Sequence, residues 1–506
     1  MSRDAPVLIL GGGINGAAIA RELLLQGRGV ILVEQGDLAG GATAYSSRLI
    51  HGGLRYLEYG EFALVRESLR ERGLLLANAP EYVRPLRFFI PVQRLTSGLV
   101  AAAGKFLRLP FKFKPRPRGL LVVRSGLWLY DRFAQAPSDA AENYVSLPGA
   151  RSHRLEDPVA PRVERKGTLG FCSYSDAQVQ FPERFTIGLL RDAAQIARER
   201  GLPFAVHTYT RCRLENATAV CEPLHPAARP PEPFAPAAVI NATGAWVDLT
   251  LERLQVPAER LMGGTKGSHF FTWHPELREQ LRDSAVYAEA ADGRPVFVLP
   301  FGERGTLVGT TDLPFTGDPG AAVATEEELE YLLSVVRTLF PQITIDRDDI
   351  TLHGCGVRPL PFAGKKTPAA VTRRHWLVFQ DAAPLPLLSV VGGKLTTCRS
   401  LAEETAAAVL NRLGVEFTPG LSKSRPLPPE PPRPSPAHLT AENLQPFLAA
   451  EFATTLEDVV ERRLMWLYEP ELDRSQVESV AALRGDTASD VQRCLERLAK
   501  HFGRET

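Results

Sequence analysis

The chain has 506 residues, of which 44% are hydrophobic and 23% charged, and its formal net charge is +1 at pH 7. These values are typical of a soluble globular protein, and a single hydrophobic core rarely extends over so long a chain, so we expect two or three domains. The near-neutral charge excludes a global attraction to nucleic acid, and no uncharged stretch reaches the roughly 18 residues of a membrane-spanning helix.

The six cysteines are spread along the chain without a Cys-x-x-Cys pair or a zinc-type spacing. We therefore expect neither a disulfide framework nor a metal site, and we expect a reducing cytoplasm as the location. The apolar stretch from Ala5 to Ala20 contains three consecutive glycines and follows no net positive charge, so a signal peptide is not expected.

The N-terminal residues predict a nucleotide-binding βαβ unit. An apolar strand is followed by Gly11, Gly13 and Gly16 in G-x-G-x-x-G spacing, and helix-forming residues come next. The first glycine allows a tight turn, the second lets a diphosphate approach the main chain, and the third lets helix and strand pack closely. The second predicted strand ends at Glu34, where a carboxylate accepts hydrogen bonds from ribose hydroxyls. NAD and FAD both satisfy this pattern.

Two further segments favour the longer of these ligands. Small and hydroxyl-bearing residues occupy 40–47, directly after the second strand, where further phosphate and ribitol contacts are expected. A later apolar strand within 239–246 also ends in small residues, which suits a close approach of the backbone to a cofactor. The sequence therefore favours FAD.

These segments resemble the FAD-dependent glycerol-3-phosphate dehydrogenases, within the glycine oxidase and D-amino-acid oxidase type of flavoprotein. The matching motifs follow the family order over roughly residues 5 to 410 and are GGGINGAAIA (11–20), SSRLIHGGLRYLEYGEF (46–62), YSDAQV (174–179), NATGAWVD (241–248), KGSHF (266–270), VGTTD (308–312), GVRPL (356–360) and GGKLTT (392–397).

The resemblance implies an α/β plus α+β fold. It combines a Rossmann-like FAD-binding domain assembled from discontinuous segments, a substrate domain on a mostly antiparallel sheet, and a small helical C-terminal domain. The expected bounds are 1–80, 165–262 and 345–412 for the FAD-binding domain, 81–164 and 263–344 for the substrate domain, 413–437 for a proline-rich linker and 438–506 for the C-terminal domain. The linker is expected to be extended, and the helical domain to serve docking or dimer contact rather than catalysis.

The resemblance also implies oxidation of sn-glycerol 3-phosphate to dihydroxyacetone phosphate, with a hydride passing from C2 to FAD. Arginine side chains match the oxygens of the substrate phosphate. By resemblance, Arg55 and Arg373 bind this phosphate with help from Tyr56, while Arg358 and Lys394 lie nearer the reacting carbon and the flavin.

The alcohol needs a base for its proton, and imidazole has a suitable pKa. His51 is the first candidate and His269 the second, while water or another group remains open. Lys266, close to His269 in the sequence, is expected to contribute to substrate binding. For Asp176 and Asp312, a structural role is favoured over ordering of the cationic pocket.

The expected FAD contacts are main-chain groups and small side chains of the matched motifs. They are Gly11, Gly13, Ile14, Asn15, Gly16, Glu34, Gln35, Thr43, Ser46, Ser47, Leu49, Cys212, Ala242, Gly244, Gly393, Lys394, Leu395 and Thr396. The paired glycines Gly52–Gly53 and Gly392–Gly393 are expected to let the main chain pass against the flavin ring.

The segment 98–133 mixes aromatic and aliphatic side chains with lysines and arginines, and no acid occurs between Lys105 and Arg124. Such a surface suits anionic lipid headgroups, but a basic loop over an ordinary core explains it equally well. By resemblance we expect quinone as the electron acceptor, peripheral binding to the inner face of the cell membrane, and non-covalent FAD. A homodimer is a further expectation. An oxidase using oxygen and a non-catalytic FAD-binding subunit remain the alternatives.

Overall fold

The computed structural model describes residues 5–95, 119–136, 144–164, 166–362 and 373–504. Two β-sheets with helices packed on them account for most of its architecture. In chain order the described strands are β1 (Val7–Leu10), β2 (Val30–Val33), β3 (Leu49–Ile50), β4 (Val83–Val92), β5 (Arg151–His153), β6 (Gly170–Val179), β7 (Phe204–His207), β8 (Thr210–Glu215), β9 (Thr218–Pro223), β10 (Val239–Asn241), β11 (Thr265–Thr272), β12 (Ala285–Glu289), β13 (Pro295–Phe301), β14 (Gly305–Gly309), β15 (Leu313–Pro314), β16 (Leu352–Arg358), β17 (Trp376–Phe379) and β18 (Leu387–Val391).

The described α-helices are likewise numbered in chain order. They are α1 (Ile14–Leu25), α2 (Phe62–Asn78), α3 (Leu120–Phe133), α4 (Pro182–Arg200), α5 (Val247–Arg253), α6 (Pro275–Leu281), α7 (Glu326–Leu339), α8 (Cys398–Arg412), α9 (Ala441–Ala450), α10 (Leu456–Asp458), α11 (Arg474–Arg484) and α12 (Ala488–Phe502).

The first sheet has the strand order β17-β18-β10-β1-β2-β7 and is parallel except for β17. All four residues of β1 are buried, as expected of a strand covered on both faces, and its sequence VLIL therefore shows no polar alternation. Helices α1, α4 and α8 pack together on this sheet. Its strands come from three separate parts of the chain, which confirms the predicted assembly of a Rossmann-like unit from discontinuous segments.

The second sheet follows the order β15-β11-β14-β13-β12-β4-β6-β3, with β16 paired to β11 and β5 to β6. Its pairs are antiparallel except β4 with β12, which confirms the mostly antiparallel sheet. The chain passes from the first sheet to the second between β2 and β3 and between β10 and β11, and it returns between β6 and β7 and between β16 and β17. The glycine-rich motifs directly follow strands, namely β1 for Gly11–Gly16, β3 for Gly52–Gly53 and β18 for Gly392–Gly393.

Residues 413–437 lie along the helices of the first sheet. The Arg425 guanidinium pairs with Asp192 of α4 at 2.9 Å, and the Leu427 N–H donates to the carbonyl of Asn78 at 2.7 Å. Beyond them the chain is helical as expected, and its apolar side chains, such as Phe447 and Trp466, share a core cluster with the second sheet. The predicted domain bounds remain a prediction.

One expectation is wrong. Cys212 and Cys221 form a disulfide across the β8–β9 hairpin, where their Cα atoms are 4.2 Å apart. The two residues are direct cross-strand partners in the hairpin register. Cysteine spacing alone does not reveal hairpin register, so this pairing was not predicted.

Candidate functional site

A cavity of about 810 Å³ lies between the two sheets. Its wall contains every predicted site residue except Gly16 and Lys266. The motifs that the sequence separates by up to several hundred residues therefore meet in one place. The cavity has a nucleotide end, at the loop between β1 and α1, and a cationic end, at the start of the second sheet.

The nucleotide end is built largely from main-chain groups. Both oxygens of the Glu34 carboxylate accept backbone N–H groups, from Gly12 at 2.7 Å and Gly36 at 2.9 Å. A Cβ atom on Gly16 would lie 1.9 Å from the carbonyl oxygen of Gly11, so only glycine allows this turn. Gly16 thus shapes the cavity without lining it, and the N-terminus of α1 faces the space where a diphosphate is favoured.

The middle of the cavity joins residues from opposite ends of the chain. The His51 N–H donates to Thr396 Oγ1 at 3.0 Å, and Asn15 Nδ2 donates to the carbonyl of Gly392 at 3.3 Å. Gly393 has φ +101°, and a Cβ atom there would lie 2.3 Å from Asn15 Nδ2. Packing against Asn15 therefore excludes a side chain at Gly393, and Gly53, Gly392 and Gly393 all line the cavity. The close approach of these segments to a planar ring stays a prediction.

Positive charge is concentrated at the other end. Asp312 bridges two arginines, with its carboxylate 3.2 Å from Arg358 Nη1 and 3.6 Å from Arg373 Nη2. Burial lowers the pKa of Arg358, against the opposing effect of Asp312. Asp312, for which a structural role was favoured, therefore orders the cationic pocket.

Lys394 is the least satisfied of these cations. Its buried Nζ has no hydrogen-bond partner within the described residues and lies 4.3 Å from the centroid of the Tyr56 ring. Burial lowers the pKa of this ammonium. A buried cation without a hydrogen-bonded acceptor indicates a place for an anionic or electron-rich ligand.

Both candidate bases line the cavity. Burial, followed by nearby Lys394 and Arg72, lowers the pKa of His51 to about 3. Burial, followed by Arg358 and Arg48, lowers the pKa of His269 to about 3 as well. Both imidazoles are therefore neutral in the physiological range, and each has one ring nitrogen able to accept a hydrogen bond.

The two histidines differ in their contacts. His269 Nε2 is hydrogen-bonded to Ser47 Oγ at 3.0 Å, while its Nδ1 lacks a partner in the part of the chain that the structure describes. His51 lies beside Tyr56, with ring centroids 6.4 Å apart.

The structure places Lys266 outside the cavity wall. Its Nζ forms an ion pair with Glu328 of α7 at 2.7 Å. Successive side chains of a strand point to opposite faces, so Lys266 faces α7 while His269, three positions later on β11, faces the cavity. Its predicted role in substrate binding is therefore not supported.

A buried network supports the turn after His51. The Gly52 N–H donates to Tyr130 Oη at 2.9 Å, and the Tyr130 hydroxyl donates to Asp176 at 2.8 Å. Arg72 completes the network with an ion pair to Asp176 at 2.6 Å. Asp176 thus has the structural role that was favoured for it, and Tyr130 of α3 is a supporting residue that no motif indicated.

Sequence reasoning missed two other parts of the wall. Tyr287, Arg294 and Phe297 reach the cavity from β12, β13 and their connecting turn, and Arg462 and Arg497 reach it from the C-terminal region. None of these residues lies in a matched motif, and only the pairing of distant segments brings them to the site.

Comparisons with known proteins agree with this geometry. A family model described as FAD dependent oxidoreductase matches residues 6–399. The chain is 34% identical over 442 residues to a glycerol-3-phosphate dehydrogenase of Synechocystis sp., covering 83% of this chain and 73% of that protein. It is 31% identical over 506 residues to a D-erythritol 1-phosphate dehydrogenase of Brucella abortus, covering 98% and 88%.

Solved structures share the fold. The glycerol-3-phosphate dehydrogenase from Bacillus halodurans in complex with FAD aligns with a TM-score of 0.67 at 19% identity, covering 99% of this chain and 95% of that chain. An L-α-glycerophosphate oxidase from Mycoplasma pneumoniae with FAD bound aligns with a TM-score of 0.54 at 17% identity, covering 84% and 99%.

The residues of the cavity fit FAD. Glu34 and the Gly11–Gly16 turn suit the adenosine diphosphate, and Gly53 and Gly393 line the cavity with main chain only. Lys394, whose Nζ has no hydrogen-bond partner among the described residues, lines the same cavity.

Proposed function

The chain belongs to the FAD-dependent oxidoreductases, and from this premise we propose that it oxidises sn-glycerol 3-phosphate to dihydroxyacetone phosphate. The observation that carries the proposal is the group of four cations at one end of an FAD-sized cavity, namely Arg55, Arg358, Arg373 and Lys394. A dianionic phosphate uses such a group, whereas a single amino-acid carboxylate needs fewer cations.

The arginines bind and orient the substrate. Arg358 and Arg373 present guanidinium groups fixed by Asp312, and Arg55 approaches the same space from the segment after Gly53. Fixed donors hold the phosphate without reorganising, so the secondary alcohol at C2 is positioned rather than merely bound.

The reaction removes a hydride from C2 and a proton from its hydroxyl. Bound FAD supplies the acceptor for the hydride. His51 accepts the hydroxyl proton as the C2–H bond breaks and the carbonyl forms. Burial, Lys394 and Arg72 lower the pKa of this imidazole, and the dianionic phosphate of a bound substrate opposes the effect of the two cations.

His269 is the second candidate for the base. Its ring is held by Ser47, which is consistent with either a base or an orienting group. Comparison of single His→Gln variants at both positions distinguishes these roles, as set out in the Discussion.

The test is anaerobic reduction of the flavin-loaded protein. We expect glycerol 3-phosphate to bleach the oxidised flavin absorbance and glycerol, which lacks the phosphate, to leave it unchanged. Failure of glycerol 3-phosphate to reduce a fully loaded flavin would refute the proposal.

A four-carbon phosphate is the second candidate substrate. The observation that favours it is the similarity to the D-erythritol 1-phosphate dehydrogenase, which extends over 98% of this chain. The same anaerobic titration with D-erythritol 1-phosphate decides between the two, because the true substrate reduces the flavin at the lower concentration.

We propose quinone as the electron acceptor. The fold is shared with an oxidase, so it does not select between quinone and oxygen. Rapid reoxidation of the reduced protein by a soluble quinone, with little hydrogen peroxide formed in air, is the expected result. Stoichiometric peroxide at a comparable rate would instead identify an oxidase.

Peripheral membrane binding follows as part of this proposal. On its outer face α3 exposes Leu121 and Trp128, with 48% and 66% of their surface accessible, beside the exposed Arg124 and Arg132. Residues 98–118, which carry most of the basic side chains of the predicted lipid-binding segment, lie outside the described residues. Among the helices that are described, none has the length and apolar character needed to cross a bilayer.

Co-sedimentation with vesicles tests this surface. Binding to anionic vesicles that exceeds binding to neutral ones, and that falls in Trp128→Ser, is expected. Equal recovery of both proteins in the supernatant would contradict it. The expected homodimer remains a prediction, which the molar mass in solution decides.

A further inference from the structure

The C-terminal region contributes to the cavity wall at its nucleotide end. A π-helical turn, Val459–Arg463, follows α10, and Arg462 of this turn lines the cavity together with Arg497 of α12. The sequence had predicted docking or dimer contact for this region. Its side chains instead reach the space where the cofactor lies.

The loop after Glu34 is held by two arginines of this turn. Asp37 accepts two parallel hydrogen bonds from Arg463, both 2.7 Å long, and a third from Arg462 Nη1 at 3.1 Å. All three side chains are buried. A buried carboxylate requires such partners, so the position of this loop depends on the docked C-terminal region.

Arg462 and Arg497 bring their guanidinium groups to the cavity wall with carboxylates beside them. Glu461 accepts hydrogen bonds from Arg497 and lies 3.2 Å from Arg462 Nη2, and the buried carboxylate of Asp458 lies close to Asp37 and Arg463. The guanidinium groups are therefore held as fixed donors, and screening by solvent is weaker there than on an open surface.

The Arg462 guanidinium lies beside Gly40 of the loop. A Cβ atom built on Gly40 would lie 3.7 Å from Arg462 Nη2, which is an ordinary van der Waals distance, and the next residue is Gly41. Gly40 begins the segment 40–47, for which the sequence predicts phosphate and ribitol contacts.

We propose that Arg462 is a cofactor-binding residue that the C-terminal region supplies to the diphosphate of FAD. The Arg463–Asp37 pair positions the loop, and Arg462 with Arg497 provides the charge. Docking of this region and binding of FAD therefore stabilise each other, because each is favoured in the presence of the other.

Titration of FAD into the flavin-free full-length protein tests the proposal. At low ionic strength Arg462→Gln is expected to raise the Kd for FAD about ten-fold or more, since a hydrogen bond to a charged group is lost. The affinity of this variant should also fall less steeply with added salt. Arg462→Lys, which keeps the charge, should recover part of the loss.

Arg474→Gln is the matched control. Arg474 lies in the same region but is exposed and pairs with Glu478 at 3.5 Å, so its loss should leave the Kd for FAD unchanged. The readout is flavin binding alone, and it is independent of which alcohol the protein oxidises.

Arg497→Gln keeps the test decisive if Arg462→Gln does not fold. Its side chain is 35% exposed and leaves the pairing of Asp37 intact, so a smaller rise in Kd with a flatter salt dependence is expected. Parental affinity in a folded Arg462→Gln or, failing that variant, in Arg497→Gln overturns the proposal. An equal loss in Arg474→Gln does so as well.

Discussion

The two ends of the cavity are built in different ways. At the nucleotide end, backbone N–H groups and glycines within a short stretch of chain form the wall, and Glu34 is fixed by two of those N–H groups. At the cationic end, Arg55, Asp312, Arg358 and Lys394 arrive from four separate segments. The proposed cofactor site is thus a local backbone motif, whereas the proposed substrate site consists of side chains from distant segments of the chain.

The largest effect is expected from loss of the proposed catalytic base, at the cationic end of the cavity. His51→Gln removes the group proposed to accept the hydroxyl proton, and loss of a general base typically lowers the rate about 10²–10⁴-fold. The rate of flavin reduction by glycerol 3-phosphate, measured by stopped flow, checks this. A greater loss in His269→Gln than in His51→Gln would assign the base to His269.

Substrate affinity should respond next. Arg358→Met removes a half-buried cation and leaves Asp312 with one arginine fewer, so kcat/KM for glycerol 3-phosphate should fall about 10²-fold, mostly through KM. Lys266→Met on the opposite face of the same sheet is the control, with KM within about two-fold of the parent. If both variants raise KM equally, the substrate does not lie where the cationic end of the cavity places it.

The nucleotide end of the cavity is disrupted most directly by a substitution at Gly16. Gly16→Ala forces a Cβ atom to within 1.9 Å of the Gly11 carbonyl oxygen, and such overpacking typically costs about 1–3 kcal/mol. We expect a lower melting temperature and weaker FAD retention on gel filtration.

Gly126→Ala is the matched control, because a Cβ atom there meets nothing within 4 Å and the site lies inside α3. Alanine in a helix interior stabilises by roughly 0.5–1 kcal/mol relative to glycine. Equal behaviour of the two alanine variants would show that the turn at Gly16 tolerates a side chain.

The last expected effect is a pH dependence of stability carried by the histidines. The pKa values of His51 and His269 are about 3 in the folded chain, below the ordinary value near 6.5. As pH falls below 6.5 the unfolded chain gains protons that the folded chain does not, so stability decreases, by at most about 1.4 kcal/mol per pH unit for each histidine. The melting temperature of the flavin-free protein should fall between pH 7 and pH 5, and less steeply in His269→Gln. An unchanged slope in that variant would contradict the neutral, buried imidazole.

Local sequence patterns predicted most of the nucleotide end of the cavity. The spacing of Gly11, Gly13 and Gly16 with an acid after the second strand determines a turn whose geometry few other residues allow, so the prediction needed no distant contacts. The Rossmann-like sheet and the mostly antiparallel sheet were likewise predicted and confirmed. The resemblance supplied most of the cationic end.

The failures share a physical reason. Lys266 was assigned to the site because it lies near His269 in sequence, but the alternation of a strand places it on the other face. Cys212 and Cys221 pair because a hairpin aligns them, and Arg462 enters the wall because Asp37 binds its turn. In each case the partner is set by strand register or tertiary packing, which short motifs do not encode.

Tyr130 and Trp128 belong to the same turn of α3, and they face opposite environments. The phenol of Tyr130 holds the Gly52 N–H beside the reaction centre, while the indole of Trp128 stands in solvent. The helix therefore connects the outer surface of the protein, at Trp128, with the turn that follows His51, at Gly52. A molecule that binds on the outer face of α3 is thus two residues away from the side chain that supports this turn, although it never enters the cavity.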